Sequence, residues 1–495
     1  MSKKSIIGWG ALGAGAVFAG ASFVRAARFK PEKPQLRDFP GETVDEARVA
    51  RNLSEAVKIP TISYPEKERV DWTQFERFHA FLEEHYPLIH KQLTREVIEP
   101  ASLLYHWKGK DVNLKPIALL SHIDVVPIEE GTEDDWTYEP FSGHNDGEFI
   151  WGRGAIDMKN HLICTMEAVE ALLAEGYQPE RDVYLCFGDD EEVVAGGNSG
   201  AHKIRLALEA RGVKQLESTL DEGGAILPVD VKGVLPNAVL AGVGVSEKGY
   251  ADIEISVTSK GGHSSQPPKH SAVGDIACVV RDLERNQFRA KMLPHMTSLI
   301  DQAARRMPYY LRAVMVNHRL MTPLFLAVMK QIPPAACMIR TTTAVTMASG
   351  SPACNVLPQK ASIVANFRMM PGTTTDDVIK HIRKAVRNKN IEIKVLKKIE
   401  PSPFSSTDTR SFETLRELIL NEAPNAMIVP YLVMGGTDTV FYEPICEHCY
   451  RFSPFFVSLE LLLNAHATNE RVPVSILGDG VRFFKRYIRG AAGKY

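Results

Sequence analysis

Five side chains whose chemistry suits divalent metal ions are distributed along the 495 residues of the sequence. Two are imidazoles and three are carboxylates, a ligand set that suits a pair of zinc, manganese or cobalt ions sharing one bridging carboxylate. The predicted ligands are His122, Asp157, Glu192, Asp221 and His466. Each residue alone also has an ordinary structural interpretation, such as a helix N-cap for Asp157 or a solvated acidic loop around Glu192. Only their combination favours the metals.

Glu191 and Asp124 are predicted to work beside these ligands. Glu191 is adjacent to Glu192, and it is predicted to take the proton of the attacking water and deliver it to the leaving nitrogen. Asp124 stands two residues after His122, so the two side chains share one face if the strand continues. The Asp124 carboxylate is then predicted to orient the His122 imidazole.

Strand-like apolar runs precede four of these motifs and indicate how the site is assembled. They cover residues 116–120, 149–151, 183–187 and 218–220. They alternate with amphipathic, helix-like stretches such as 72–85 and 158–175, and this alternation predicts an α/β sheet. Since ligands collect beyond the carboxyl ends of strands in such sheets, the sequence predicts one site built from all four loops.

The pattern changes between about residues 247 and 400 to that of a small two-layer α+β unit. Its strand-like runs (250–257, 362–369, 391–396) are interleaved with helix-like stretches (272–284, 375–386). An apolar, Met-rich insertion at about 286–334 follows the first helix. We expect this insertion to form the wall of an acyl pocket, or alternatively to pack against the small unit, a partner chain or a membrane surface.

Six motifs give the chain a resemblance to the M20 family of dinuclear zinc peptidases and aminoacylases, over about residues 44–485. They are H-I-D-V-V-P, G-R-G-A-I-D-M-K, G-D-D-E-E-V, D-E-G-G, G-G-H-S-S and H-A-T-N-E-R, and they occur in that family's order. The resemblance implies two Zn²⁺ ions, with Mn²⁺ or Co²⁺ as substitutes. It places His122, Asp157 and Asp221 on one ion and Asp157, Glu192 and His466 on the other, with Glu191 as the general base.

The same resemblance implies the substrate contacts. His263 would stabilise the tetrahedral oxyanion. Asn355 and Arg368 would hold the substrate carboxylate, for which arginine offers a bidentate fork. Gly435 and Gly436 would line the pocket near the metals.

The resemblance also implies the fold class and the domains. The fold is an α/β catalytic domain with a mixed sheet and a dinuclear metal site, interrupted by a smaller ferredoxin-like α+β lid domain. The expected boundaries are 1–28 for an N-terminal membrane anchor or signal segment, 29–43 for a linker, 44–246 and 401–495 for the catalytic domain, and 247–400 for the lid.

The N-terminal residues carry a separate signal. Residues 6–24 contain no charged side chain and would span about 28 Å as a helix, which is close to the thickness of the hydrocarbon core. A cleaved signal peptide and a retained single-pass anchor are both consistent with this stretch. The basic residues directly downstream, Arg25, Arg28, Lys30 and Lys33, favour retention and a link to the membrane.

Composition excludes several classes of protein. Lys plus Arg number 58 against 60 Asp plus Glu, so no overall positive field favours nucleic acid as a partner. Seven cysteines are too few for a disulfide-dense scaffold. Cys446 and Cys449 form a lone C-x-x-C, which we interpret as a local disulfide or two ordinary thiols.

The preferred function is a metal-dependent hydrolase that cleaves an amide next to a free carboxylate. Its substrate is a peptide's last bond or an N-acyl amino acid, as in the branch of the family that holds Gly-X carboxypeptidases and N-fatty-acyl-amino-acid hydrolases. The alternative is a non-enzymatic binding module that keeps the fold without metals. Such a module is expected to lack ligands, yet all five and Glu191 are present.

Overall fold

A computed structural model describes residues 19–31, 39, 41–193 and 198–493. The helices are α1 (residues 19–28), α2 (Glu46–Val57), α3 (Trp72–His85), α4 (Pro87–Gln92), α5 (Asn160–Ala174), α6 (Gly200–Ala210), α7 (Ala272–Arg285), α8 (Pro294–Arg306), α9 (Tyr309–Met315), α10 (Thr322–Met329), α11 (Pro333–Cys337), α12 (Thr375–Ala385), α13 (Arg410–Glu422), α14 (Leu459–Leu463) and α15 (Leu477–Ala492). The strands are β1 (Thr94–Ile98), β2 (Ser102–Trp107), β3 (Ile117–His122), β4 (His144–Asn145), β5 (Phe149–Trp151), β6 (Val183–Gly188), β7 (Ser218–Asp221), β8 (Ile226–Val231), β9 (Leu235–Glu247), β10 (Gly249–Thr258), β11 (Gly262–His263), β12 (Thr342–Ser349), β13 (Val356–Leu357), β14 (Lys360–Met369), β15 (Glu392–Ile399), β16 (Ala426–Val433), β17 (Cys449–Arg451) and β18 (Arg471–Pro473).

A large mixed sheet forms the centre of the larger of two domains, with the strand order β1-β2-β6-β3-β7-β17-β9-β16 and β8 paired to β9. β3 lies parallel to both β6 and β7, while β2 pairs with β6 in the antiparallel sense. Every residue of β3 and of β6 is buried, as expected for apolar runs covered on both faces of a sheet. Helices α2, α5, α13 and α15 pack with these strands in one hydrophobic core.

The small domain has a core of its own. Its four-stranded antiparallel sheet has the order β12-β14-β10-β15, and α7 and α12 contribute buried side chains to the same cluster. In chain order this domain is a βαββαβ unit with ferredoxin-like strand order, into which a longer connection is inserted after α7. The predicted fold class is confirmed.

The chain crosses between the two domains at two adjacent points. β9 ends at Glu247 and β10 begins at Gly249, so Lys248 alone separates the large sheet from the small one. The return crossing follows β15, and the Ser402 N–H donates to the Glu247 carbonyl at 3.1 Å. The two crossings therefore lie side by side.

The Met-rich connection folds into the four helices α8 to α11. α8 packs on the edge of the large sheet, where the Arg306 guanidinium donates to the Ala426 carbonyl at 2.8 Å. α1 lies against this helical insertion. Within the described ranges no helix has the length and apolar character needed to cross a bilayer. Residues 1–18, which hold most of the predicted anchor, and residues 32–38 and 40 of the predicted linker lie outside the described part.

Cys446 and Cys449, for which the sequence left a disulfide open, are both buried free thiols. They lie beside β7, in the smaller core cluster on the other face of the large sheet.

Candidate metal centre and active site

The candidate site lies at the carboxyl ends of the three parallel strands β6, β3 and β7. His122 ends β3 and is opposite Gly188, the last residue of β6. Glu191 and Glu192 follow β6 directly, and Glu222 follows β7. Because parallel strands end at the same edge of a sheet, these loops converge as the apolar runs predicted.

Asp157 lies between the two histidines at the centre of the cluster. The His122 Nε2 atom is 3.3 Å from Asp157 Oδ1 and 3.3 Å from Glu222 Oε1. On the other side, His466 Nε2 is 3.1 Å from Asp157 Oδ2 and 3.0 Å from Glu192 Oε2. A carboxylate that contacts two imidazoles with its two oxygens has the arrangement expected of a bridging ligand.

Asp221 does not enter this cluster, contrary to the sequence-based expectation. Its Oδ2 accepts hydrogen bonds from the Thr439 hydroxyl at 2.6 Å and from the Thr439 N–H at 3.0 Å. The adjacent Glu222 faces His122 instead, because successive residues of an extended segment point to opposite sides. The D-E-G-G motif contains both Asp221 and Glu222, but the residue types alone do not show which of the two neighbouring carboxylates faces the site.

Asp124 is fully buried and organises the loop after β6. The His122 Nδ1 atom lies 2.9 Å from the Asp124 backbone carbonyl and 3.5 Å from the Asp124 carboxylate. That carboxylate accepts the backbone N–H groups of Glu191 and Glu192, each at 3.2 Å, and the Ser63 hydroxyl at 2.6 Å. Asp124 thus holds the imidazole mainly through its backbone and positions both glutamates through its side chain.

The two other carboxylates of the D-D-E-E run turn away from the cluster. Asp189 accepts the Ser102 hydroxyl at 2.6 Å. Asp190 pairs with the Lys67 ammonium at 2.8 Å and accepts the Gly200 N–H. The run is therefore divided between two structural carboxylates and two that face the site.

The pKa values of Glu192, Glu222 and His466 are all raised, so negative charge in the cluster exceeds positive charge. Burial and the nearby Asp157 carboxylate raise the pKa of Glu192 to about 7 and that of Glu222 to about 8. Hydrogen bonds to Asp157 and Glu192 raise the pKa of His466 to about 10. Burial alone would lower the pKa of His122, but the Glu222 charge and hydrogen bonds to carboxylates hold it well above its usual range.

The donor set therefore fits cations. Ligand atoms of His122, Asp157 and Glu192 lie within 4.8 Å of one another, and so do those of His122, Glu191 and Glu222. Hydrogen bonds to His122 and His466 lower the pKa of Asp157, and the Asp157 charge in turn raises the pKa of Glu192 and of Glu222. Divalent ions in place of the protons would neutralise such a group of close carboxylates.

A buried ion pair that the sequence did not point to connects two of the motifs. Arg153 and Glu470 are paired at 2.5 Å, and the side chains are 3% and 0% exposed. Glu470 also accepts the N–H of Asp157 at 3.2 Å, while Arg153 donates to the His466 carbonyl at 3.0 Å. This pair ties together the backbone segments that carry Asp157 and His466.

One cavity of about 300 Å³ extends from Glu191 towards the small domain. Gly435 and Gly436 line it, together with Arg368 and Lys397 of the small sheet. The Arg368 guanidinium stacks over the Tyr250 ring, 4.7 Å from its centroid. The structure therefore brings three of the predicted substrate residues to one cavity with Glu191.

A second cavity, of about 440 Å³, begins at Asp157 and Glu222. Most of the residues that line it are aliphatic or aromatic. Two of these residues come from the helical insertion: Leu299 lies on α8, and Met338 directly follows α11. The other apolar lining residues are Ile156, Ala225, Leu227, Leu240, Val429, Tyr431, Phe455, Val457, Leu462 and Ala465.

His263 and Asn355 are not brought to the cluster. They lie at the two-stranded ribbon of β11 and β13, where the Ser264 N–H donates to the Asn355 carbonyl at 3.1 Å. His263 is exposed, with its Nδ1 atom 2.8 Å from the Ser265 hydroxyl. Neither residue lines the two cavities, so the oxyanion and carboxylate contacts predicted for them are not made in this structure.

The chain is similar to known proteins over most of its length. The chain is 36% identical over 473 residues to a probable carboxypeptidase S-like 2 of Dictyostelium discoideum, covering 93% of this chain and 90% of that protein. It is 34% identical over 465 residues to the N-fatty-acyl-amino acid synthase/hydrolase PM20D1 of Mus musculus, covering 91% and 90%.

Among solved structures, the M20 family metallo-carboxypeptidase Sso-CP2 of Sulfolobus solfataricus shares the fold. The TM-score is 0.62 at 17% identity, over 90% of this chain and 99% of that one. The model of peptidase family M20/M25/M40 matches residues 118–490. The chain therefore belongs to the M20/M25/M40 peptidase family and is a metal-dependent hydrolase.

Proposed function

We propose that this enzyme hydrolyses N-acyl amino acids that carry long apolar acyl chains. The observation that carries this proposal is the pair of cavities that reach the candidate metal centre, one at Glu191 and the other at Asp157 and Glu222. The one beside Glu191 also contains the carboxylates of Asp190, Glu247, Glu400 and Asp438. At its small-domain end the cationic groups of Arg368 and Lys397 both lie over the Tyr250 ring, and this end suits the free carboxylate of an amino acid. The one beside Asp157 and Glu222 is apolar and suits an acyl chain. The amide of a substrate that fills both cavities lies at the cluster.

The proposed ligands are His122, Asp157, Glu192, Glu222 and His466, with Asp157 as the bridge and Glu222 in the position that the family resemblance assigned to Asp221. Two Zn²⁺ ions held by this set supply Lewis-acid polarisation of the scissile carbonyl and a water of lowered pKa.

Glu191 moves the proton in the proposed reaction. Its side chain is partly buried and lines the cavity next to Glu192, and the Asp124 carboxylate accepts its backbone N–H at 3.2 Å. Burial, together with Glu222 and Glu192, raises the pKa of Glu191 well above its usual range, whereas His122 lowers it. A carboxylate of raised pKa accepts a proton from water readily and returns it to the leaving nitrogen.

A carboxypeptidase that releases the last residue of a peptide is the second candidate. The cavity at Arg368 serves both substrates equally, since both present a free carboxylate. The apolar character of the other cavity favours the acyl chain, because a peptide backbone would lose its hydrogen bonds to water there without finding partners. The mouse relative is named for N-fatty-acyl amino acids, and the Dictyostelium relative for carboxypeptidase activity.

The acyl-chain proposal is tested with a series of N-acyl amino acids that runs from acetyl to long-chain acyl groups. Each buried methylene contributes about 0.8 kcal/mol, so four additional buried carbons raise kcat/KM by about 10²-fold if this binding is present in the transition state. We expect kcat/KM to rise with chain length and then level off. A flat profile, or a preference for peptides, would favour the carboxypeptidase.

A variant that fills the apolar cavity tests whether this cavity causes the dependence of kcat/KM on chain length. Leu299→Trp narrows the apolar cavity and should reduce kcat/KM for long chains while leaving acetyl substrates nearly unchanged. Leu206→Trp, at an exposed position of α6 that lines neither of these two cavities, is the matched control. Equal losses on short and long chains in Leu299→Trp would show a general disturbance and not a blocked acyl site.

A further inference from the structure

The helical insertion and α1 expose an apolar surface that is unusual for a folded chain in water. Nine of the twenty-one large hydrophobic side chains that are exposed in the described residues lie in residues 23–24 and 309–332. We call this surface the apolar face, and it consists of Phe23, Val24, Tyr309, Tyr310, Val314, Leu320, Leu324, Val328 and Ile332.

α10 shows most clearly that apolar side chains face the solvent. Its sequence is T-P-L-F-L-A-V-M, and none of its residues is buried. Leu324 and Val328 lie one turn apart on one side of α10 and are 57% and 52% exposed, and Leu320 and Ile332, which flank the helix, are 71% and 50% exposed. A helix on the surface of a water-soluble domain normally turns polar residues outward. The outward side of α10 is instead entirely apolar.

α1 is fixed to the same surface by specific contacts. The Asn317 amide donates to the Ser22 hydroxyl at 2.7 Å, and both side chains are buried. The Tyr309 hydroxyl donates to the Phe23 carbonyl at 2.9 Å, and the two rings pack at 5.8 Å. Residues 19–24, the described end of the uncharged stretch of sequence, therefore belong to the helix that adjoins the rest of the apolar face.

The charges around the apolar face are predominantly basic. Residues 301–340 contain six Arg or Lys and one acidic residue, Asp301, which lies 3.8 Å from the Arg319 guanidinium and 3.5 Å from the His318 ring, although the whole chain has a formal charge of −2. α1 and the two residues after it add Arg25, Arg28 and Lys30, without an acidic residue. A basic rim around an apolar centre is complementary to a bilayer that contains anionic lipids. It is unfavourable for pairing two copies of the face, because like charges would then oppose each other.

We propose that the apolar face is a membrane-binding surface that inserts α10 and the Phe23–Val24 end of α1 into the interfacial region of a bilayer with anionic headgroups. The helices lie on the bilayer and do not cross it. The proposal concerns where the enzyme sits and is independent of the substrate that it hydrolyses.

The test uses the full chain and vesicles of phosphatidylcholine with phosphatidylserine, separated by sedimentation. We expect the wild-type protein to bind these vesicles and to bind less at high salt, because salt screens the basic rim. The double variant Leu324→Glu with Val328→Glu places two charges in the inserted stripe. We expect its partition onto vesicles to fall about tenfold or more.

Leu206→Glu with Val112→Glu is the matched control, since these residues are 46% and 73% exposed and do not belong to the apolar face. This control should bind vesicles as the wild type does. Thermal unfolding and hydrolysis of a short-chain substrate should be unchanged in both double variants, which shows that they are folded. Wild-type-like binding by Leu324→Glu with Val328→Glu would overturn the proposal, because the membrane contact would then lie elsewhere. A wild-type protein that does not bind vesicles would also overturn it. If the wild type is a dimer by size-exclusion chromatography and Leu324→Glu with Val328→Glu is a monomer, the face serves self-association and the proposal is wrong.

Discussion

Glu191 and Glu192 are neighbours in the chain, yet only Glu192 contacts His466, and Glu191 faces the cavity that holds Arg368. Glu191→Gln preserves the shape of the side chain and removes its ability to accept a proton. We expect the variant to retain its metal ions and to lose about 10²-fold or more in kcat. Elemental analysis and steady-state kinetics measure the two effects. Near-normal turnover would show that Glu191 is not the base.

Glu222 and Asp221 form a second pair of adjacent carboxylates with different surroundings. Glu222→Ala removes a group that faces His122, and we expect the number of metal ions per chain to fall. Asp221→Ala removes the acceptor for two hydrogen bonds from Thr439, and hydrogen bonds to a charged group contribute about 1.5–3 kcal/mol each. We therefore expect Asp221→Ala to lower Tm and to keep its metal. Metal loss in Asp221→Ala with full retention in Glu222→Ala would restore the assignment implied by the family motif.

The ion pair between Arg153 and Glu470 joins the segment before α5 to the segment before β18. Glu470→Gln leaves the Arg153 guanidinium buried without a counter-charge, which costs about 3–5 kcal/mol of unfolding free energy. Because Asp157 and His466 lie on the two joined segments, metal affinity should fall as well. Chemical denaturation and a chelator competition measure these losses. Glu413→Gln breaks the half-exposed pair with Arg416 and serves as the control, with an expected change below about 1 kcal/mol.

Elements with a strong local period were predictable from sequence, and elements defined by distant partners were not. The amphipathic pattern over 72–85 coincides with α3, and the alternating run at 250–257 lies within β10. β17 is only three residues long, and it lies between β7 and β9, more than 200 residues earlier in the chain. Its own residues carry no information about that pairing.

The candidate site divides in the same way. His122, Asp157, Glu192 and His466 were found from residue type and motif, and the structure brings these four together. Glu222, and not Asp221, faces the site because of the direction in which the side chains point at the end of β7. The ion pair of Arg153 and Glu470 joins residues that are more than 300 positions apart in the chain. Neither can be derived from spacing along the chain.

The stability of the whole molecule should depend on pH through buried neutral histidines. Burial lowers the pKa of His79 to about 4, and its Nε2 atom lies 2.8 Å from the Ala101 carbonyl. Between pH 6.5 and 4 the unfolded chain binds a proton at this residue and the folded chain does not, so the free energy of unfolding falls as pH falls. We expect His79→Gln to remove about 2 kcal/mol of the loss between pH 7 and 4.5. Denaturant titrations of both proteins at the two pH values measure this difference, and parallel losses in both would contradict it.

The position of β17 has a consequence for synthesis on the ribosome. The large sheet is incomplete between β7 and β9 until residues 449–451 have been made, and the cluster lacks one imidazole until His466 follows. The small domain has its own core, and its last strand ends at Ile399, so it is able to fold while the catalytic sheet is still open. A nascent chain that stops before residue 449 should therefore expose apolar strand edges and depend on chaperones. Arrested chains that end shortly after residue 399 should protect the small domain from protease and leave the first half of the catalytic domain sensitive.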